Sequence, residues 1–429
     1  MSNSFSKEER VAFEDILEGF NDALVLSRNV SIYNTDSSMM ERTNNVIYRP
    51  QPYIAQSYDG MDQTGNFTAF TQLSVPATLG FQKSVPFILD ALELRDALQE
   101  GRLGEAAKQK LASDINIAIM NTAANLGSLV VTVSTAAGDY DDVALCDSIM
   151  NEQGVQAFDR YLALSSRDYN GIAGNIAGGA GGASVSRSFA GNKSNNAFER
   201  SYVGMVAGFE TYKLDYANRI AAATGADPTM STLVGASNYY VPLATSTAVT
   251  GETANVDNRF QTITVSSTTD LPAGTAIEIE GVEAVHHITK QGTGFSKTFR
   301  VVSVTTGTTC VITPPIISAQ GGTDAELQYQ NCIVTAAAGR TINRLNTDAA
   351  PINCFWQKDA LEILPGRYAV PSDAGVAVMR ASTDQGIELV MQKQYDVNTM
   401  KTKYRLDTLF GVVNKQPEMS GILLFNQTP

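Results

Sequence analysis

The chain has 429 residues, with 31 Lys+Arg against 44 Asp+Glu and a formal net charge of −13. At roughly 150 residues per domain this length allows about three domains, and the acidic balance argues against a protein whose task is gripping nucleic-acid phosphates, which rests on clustered Lys and Arg. With only two histidines, the adjacent His286 and His287, and four scattered cysteines, Cys146, Cys310, Cys332 and Cys354, histidine-based catalysis and zinc ligation have little to work with. The cysteines are expected as reduced, buried thiols.

No apolar run reaches the roughly 18 residues of a spanning helix, so no membrane partner is expected. The N-terminus, MSNSFSKEERVAFEDILEGF, carries acids where a signal peptide has a basic region, which predicts a cytosol-like compartment. Ser6-Lys-Glu-Glu9 has the form of a capping box. The apolar residues Phe13, Ile16, Leu17, Phe20 and Leu24 recur every three or four positions, so 7–26 reads as an amphipathic helix. It needs a surface to cover its stripe, on its own body or on a neighbouring subunit. Removal of residues 1–26 is expected to leave a folded monomer that assembles poorly.

From Thr35 to Val85, Pro and Gly punctuate short alternating runs such as Asn45-Val-Ile-Tyr48, the pattern of a long hairpin-like excursion. Its tip, with Tyr58, Asp59, Asp62, Phe67 and Phe70, is acidic and aromatic and suited to contact with something else. Residues 87–101 read as a helix. A longer one follows over 105–125, with Ala107, Leu111, Ile115, Ala118, Thr122 and Leu126 on one stripe and Gly127 as a C′ residue. Lys108 and Lys110 on it read as ordinary exposed lysines. Next come a strand over 128–133, a short helix over 141–153 and a buried strand over 161–165.

Gly171–Gly182 is the most glycine-dense stretch. A strand leading into glycines invites a phosphate cradle, but neither GxxxxGK[ST] nor the third glycine of GxGxxG is present, since Ser184 stands in that place. It reads as a flexible surface loop. From about Ala221 to Arg344 the text turns to Thr, Ser, Val and Gly. Strands are predicted at 261–265, 275–280, 298–304 and 309–313, spaced as in a small β-barrel or sandwich. His286 and His287 fall in this β text, one facing in and one out. The alternating ends of the chain, 404–413 and 421–425, need partners, which 129–133 and 162–165 supply if the β region is an insertion in a discontinuous α+β body.

Asp139, Asp141 and Asp142 lie in a turn without calcium-loop spacing, and Glu278, Glu280 and Glu283 alternate on a strand as a solvated face would. No GxSxG, HExxH or kinase signature occurs. These residues give no catalytic, cofactor-binding or metal site, and no cofactor is expected.

Three stretches carry a family resemblance: Met120–Val130, Asn255–Ser267 continuing through Phe299–Pro314, and Asn353–Leu364, with Tyr404–Leu424 closing the set. Together with the N-terminal helix they run in one order from end to end. They resemble the major capsid (coat) proteins of short-tailed double-stranded-DNA bacteriophages that carry an inserted β-barrel. Gly171–Gly182 on to Asn196, and the tip of the excursion, match the family poorly. The resemblance implies an α+β tailed-phage capsid fold with an all-β insertion domain. Its parts would be an N-terminal arm (1–38), an extended loop (39–85), a peripheral domain with a long spine helix (86–128 and 395–429), an axial domain (129–225 and 345–394) and the β-barrel insertion (226–344). It further implies a non-enzymatic subunit of the virion capsid. Such a subunit assembles in the host cytoplasm with copies of itself as hexamers and pentamers, with a scaffolding protein and a portal protein. The precursor shell expands as double-stranded DNA is packaged, enclosed without specific binding. The residues also leave room for a phage-associated carbohydrate-binding protein using Glu278 and Glu280, or a shell-decorating protein.

Overall fold

The computed structural model describes residues 5, 7–33, 46–52, 54–55, 57–67, 69–90, 97–138, 140–177, 192–223, 225, 227–230, 240–334, 340–370 and 375–428. The chain divides into two compact units. One comprises 1–47, 76–120 and 361–413, the other 48–75, 121–360 and 414–429.

In the first unit, the helix Lys7–Ala23 buries Phe13, Ile16 and Phe20, with Leu24 just beyond its end. The predicted stripe is therefore covered by the chain's own residues. Ile16 lies so close to Gly104 that a Cβ there would meet it at 2.4 Å, and the Ala23 carbonyl accepts from Asn116 Nδ2 at 3.3 Å. Ser6, the predicted cap, lies outside the described residues. Glu9 is buried, accepting from Tyr404 Oη at 3.0 Å and pairing with Lys393.

The helix predicted over 87–101 is replaced in its first part by a strand, Phe81–Asp90, while 91–96 lie outside the described residues. The strand runs antiparallel to Lys401–Asn414, with Phe87 opposite Tyr404 and Phe81 opposite Phe410. Both aromatic pairs stack, with centroids 5.3 and 5.2 Å apart, which stabilises this register. The sheet continues from Lys401–Asn414 to Glu388–Asp396 and Ala377–Ser382 on one side and to Leu361–Pro365 and Ser31–Ile32 on the other.

The long helix runs Ala97–Leu126, 30 residues and so about 45 Å. Leu111 and Ile115 are fully buried, as the stripe requires. Lys108, expected to be exposed, is buried; its ammonium pairs with Glu105 at 2.9 Å and fills the space beside Gly19. Lys110 is exposed and pairs with Asp114. Gly127 ends the helix through close approach, not a positive φ: a Cβ there would lie 2.7 Å from the Ala123 carbonyl and 3.1 Å from Gly421.

The second unit holds two large sheets. The first has six strands in the order Leu129–Thr132, Ser420–Leu424, Asn353–Gln357, Arg160–Ser165, Phe209–Leu214, Met205–Val206. Ser420–Leu424 pairs parallel to Leu129–Thr132, and Asn353–Gln357 stands between it and Arg160–Ser165. Of the two C-terminal strands expected here, only the last enters this sheet; Lys401–Asn414 pairs with Phe81–Asp90 instead. The helices Tyr140–Glu152 and Ser166–Ile176 cover the sheet with Val143, Cys146, Met150, Tyr169 and Ile172. The second helix absorbs Gly171–Ile176, which the sequence reading placed in a loop. Ser165 caps it by accepting from Asp168 N at 3.2 Å, and Asn353 Nδ2 holds the Asp168 carboxylate at 2.9 Å. The rest of the glycine-rich stretch lies outside the described residues, and a further helix, Asn192–Arg200, follows it.

The other sheet has seven strands. Six follow in the order Thr229–Met230, Arg340–Arg344, Ala276–Val285, Gly292–Thr306, Thr309–Thr313, Gln261–Thr264, and Cys332–Val334 pairs beside Ala276–Val285. Its two ends meet where Ser266 N donates to the Thr229 carbonyl at 2.8 Å. Inside lie Ile263, Val265, Leu271, Ile277, Ile279, Val282, Phe299, Val301, Ile312 and Ile342. The chain leaves along Arg219–Ile220 and returns along Ala350–Pro351, paired antiparallel.

Candidate functional site

The carboxylate groups singled out in the sequence are engaged locally. Glu278 accepts from Asn343 Nδ2 at 3.0 Å, Glu280 from Arg340 Nη1 at 3.1 Å, and Glu283 from Gly294 N at 2.6 Å. They act as cross-strand and turn ties and do not converge. Asp141 and Asp142 occupy the first turn of the helix Tyr140–Glu152, where the dipole favours acids; Asp139 lies outside the described residues. Among the described residues no three His, Cys, Asp or Glu side chains are grouped to hold a metal ion. The four cysteines are buried thiols, and burial pushes Cys332 and Cys354 up to about 12 and Cys310 up to about 11.

One surface feature exposes a cluster of apolar side chains, and a second is an exposed, mostly polar hairpin. Around residues 58–70, Tyr58, Met61, Phe67 and Phe70 face solvent, Phe67 with 88% of its surface free. With Gly60, Gln63, Asn66 and Gln328, three of them line an open cleft of about 460 Å³. The turn is shaped by its own polar groups: Asp62 accepts from Thr64 Oγ1 at 2.6 Å and Gln63 Nε2 donates to the Gly60 carbonyl at 2.6 Å. Its base is held by the short helix Asp324–Tyr329, where Gln328 Nε2 donates to the Ala69 carbonyl at 2.9 Å and Tyr329 Oη to the Thr71 carbonyl at 2.8 Å. The second projection is the hairpin Thr245–Thr247/Thr253–Asn255, all of whose strand residues are exposed, with Val249 at its tip.

A third feature is internal and was not foreseen. Where the seven-stranded sheet meets the six-stranded one, a cluster of polar side chains ties them. Thr298 Oγ1 donates to the Ser128 carbonyl at 2.8 Å and accepts from Val130 N at 3.3 Å. His287 N donates to the Gln153 carbonyl at 3.3 Å, and the His286 ring packs over Gly154, whose φ is +80°. Lys297, 1% exposed, donates to Gln153 Oε1 at 3.0 Å and pairs with Glu418. Glu418 Oε1 also accepts from Asn331 Nδ2 at 3.0 Å, and its Oε2 lies 3.4 Å from His287 Nε2. Nearby, Arg259 is tied to Asp257 and donates to the Asn414 carbonyl at 2.9 Å. Burial pushes the His287 imidazole down to about 4, an effect that Glu418 opposes and Lys297, Lys290 and His286 add to. Burial alone would raise the Glu418 carboxyl, but His287 when protonated, the Lys297 charge and the hydrogen bonds from Lys297 and Asn331 outweigh it and hold it below the ordinary carboxylate range. Gln153, Lys297, Asn331 and Glu418 are single polar residues spread over more than half the chain, with no spacing to mark them. Only the topology brings them together.

A family model for the P22 coat protein (gene protein 5) matches residues 1–426, and the chain belongs to that family. It is thus a major capsid protein of a tailed double-stranded-DNA phage. Among solved structures, it is similar to one of Mycobacterium phage Che8 (10% identity, TM-score 0.44, covering 94% of this chain and 91% of that one). It is similar also to the mature capsid of bacteriophage PhiM1 (10% identity, TM-score 0.45, 94% and 86%). The CUS-3 coat protein I-domain is 34% identical over 29% of this chain and 98% of its own, with a TM-score of 0.22.

Proposed function

We propose that copies of this chain assemble as hexamers and pentamers into an icosahedral shell. A scaffolding protein and a portal protein guide a precursor form in the host cytoplasm, and the shell expands as double-stranded DNA is packaged. The observation that carries this reading is the coat-protein family match over residues 1–426. The net charge of −13 suits a container that encloses DNA without gripping it. No catalytic step is assigned.

In this reading the long helix and the ribbon of Phe81–Asp90, Glu388–Asp396 and Lys401–Asn414 serve as the peripheral domain. The six-stranded sheet serves as the axial domain, and it draws in the last strand, Ser420–Leu424, which the sequence reading gave to the peripheral domain. The seven-stranded sheet is the inserted barrel; the paired exit and return strands Arg219–Ile220 and Ala350–Pro351 support an insertion at that point. The projection at 58–70 is a surface for neighbouring copies, since exposed aromatic clusters rimmed by polar groups mark interaction sites. Contacts of standard size, about 1,600 Å² each, repeated over many neighbours hold such a shell.

Phe67→Asp tests this reading. The residue is exposed, so the unassembled chain should unfold within about 0.5 kcal/mol of wild type. Sedimentation of the chain co-expressed with its phage's scaffolding protein should then show a loss of shells. Shells formed at wild-type yield would count against the 58–70 surface.

A further inference from the structure

Two of the second unit's apolar cores belong one to each large sheet, and they share no residue; a smaller one, Leu73, Ile317 and Tyr329, lies beside the cavity described below. One is built by residues such as Leu129, Val143, Met150, Leu162, Phe209, Phe355 and Leu423, the other by Ile263, Val265, Ile277, Phe299, Val301 and Ile342. What joins them at the Lys297–Glu418 cluster is hydrogen-bonded and charged. Hydrophobic burial is nearly indifferent to pH, whereas a buried cluster of charges is not.

The groups facing this cluster come from every element packed on it. The strand Gly292–Thr306 brings Lys297, and the turn before it brings His286, His287 and Lys290, whose ammonium donates to the Gln328 and Gln330 carbonyls at 2.7 and 3.1 Å. Asn331 comes from the segment before Cys332–Val334, whose Cys332 thiol also faces Lys297 and Glu418 but is pushed up to about 12 by burial and stays neutral; Gln153 comes from the end of the helix Tyr140–Glu152, and Glu418 from the turn Pro417–Met419. Arg259 is committed to Asp257. One carboxylate thus serves two ammonium groups, with a buried imidazole beside it. Nδ1 of that imidazole has no hydrogen-bond partner among the described residues. His287, Asn258, Arg259, Asn331 and Glu418 share the wall of a cavity of about 50 Å³, room enough for roughly one or two waters and hence for a proton to arrive.

We propose that Lys297, Glu418 and His287 form an acid-releasable latch: protonation of the cluster opens the seam between the two sheets while both apolar cores stay folded. A proton on His287 would put a charge on a buried ring already beside the Lys297 and Lys290 ammonium groups, and a proton on Glu418 would remove the carboxylate that Lys297 pairs with. Both events act in the same direction. For His287 the folded value is depressed from 6.5 to about 4, so its contribution is complete above 6.5 and is lost as pH falls from 6.5 to about 4. Glu418, held below its ordinary value, contributes above the carboxylate range and gives way below it. The shift of His287 alone, 6.5 − 4 = 2.5 pH units, allows an open-to-closed ratio up to about 300-fold higher at the acid end.

Hydrogen exchange on the full chain tests the latch, with rates corrected for the intrinsic pH dependence. Two amides report the seam directly, Val130 N bonded to Thr298 Oγ1 and His287 N bonded to the Gln153 carbonyl. Between pH 7 and 4 their corrected rates should rise at least about tenfold, within the ceiling of about 300-fold, while amides inside Gly292–Thr306 and Asn353–Gln357 hold their protection. His287→Gln should flatten the rise between pH 6.5 and 4. Histidine-selective NMR of the wild-type chain, which has only two such residues, should show one ring titrating near 4, and this holds the test open if the variant fails to fold. Unchanged seam exchange, equal exchange throughout both sheets, a rise undiminished in His287→Gln, or two rings titrating near 6.5 would each overturn the latch.

Discussion

Gly421 sits in a strand squeezed between two others. A Cβ added there would lie 2.4 Å from the Leu129 carbonyl oxygen, 2.4 Å from the Phe355 ring and 2.6 Å from Leu129 Cβ. Its φ is not in the left-handed region, so the demand is for space. Two of the obstructing atoms belong to the neighbouring strand Leu129–Thr132, where a shift would disturb the parallel ladder. Gly421→Ala should therefore cost about 2–3 kcal/mol. Urea unfolding followed through Trp356, the chain's one tryptophan and fully buried in the adjacent strand, reads this out; an unchanged midpoint would refute the packing argument. At this scale the sequence is a partial guide. It pointed to buried cysteines and to one histidine facing in, because those follow from residue chemistry and strand alternation. It misplaced Lys108, whose long apolar stem lies on the buried stripe while the ammonium reaches Glu105. The Lys297–Glu418 pair could not be read, since nothing local distinguishes a lysine that will meet a glutamate 121 positions away.

Single elements were legible where one period dominates. The helix Lys7–Ala23, the long helix Ala97–Leu126 and the strands of the Thr-rich region carry unbroken 3.6 or 2.0 patterns. Phe81–Asp90 was misread at its end because Phe87-Ile-Leu-Asp-Ala-Leu shows helical spacing. Its strand identity comes from aromatic partners 317 and 329 residues away, Tyr404 and Phe410. The N-terminal helix has a consequence of its own. Phe13, Ile16, Phe20 and Leu24 are buried within the chain's own unit, so removal of residues 1–26 should not leave the intact monomer that an external arm would allow. At about 1.5–3 kcal/mol per large apolar side chain, four such losses amount to about 6 kcal/mol or more, comparable to a whole domain's stability. Denaturant unfolding of the truncated chain should show a collapse of stability in the first unit. A truncated chain with wild-type unfolding would contradict that packing.

Across the whole molecule, the change of composition from about Ala221 to Arg344 suggests an inserted domain at 226–344, and the strands Arg219–Ile220 and Ala350–Pro351 pair antiparallel just outside those bounds. The pairing of Ser420–Leu424 with Leu129–Thr132 was foreseen as well, because terminal strands need partners. The place of Lys401–Asn414 was not, since a strand flanked by several candidates carries no mark of the one it will join. The family match over residues 1–426 and the exposed aromatics at 58–70 point the same way, toward work done by many copies together. Electron microscopy of the full-length chain co-expressed with its phage's scaffolding protein tests that most directly. Closed icosahedral particles resolved into hexamers and pentamers are the predicted result; a chain that stays monomeric under those conditions would contradict it.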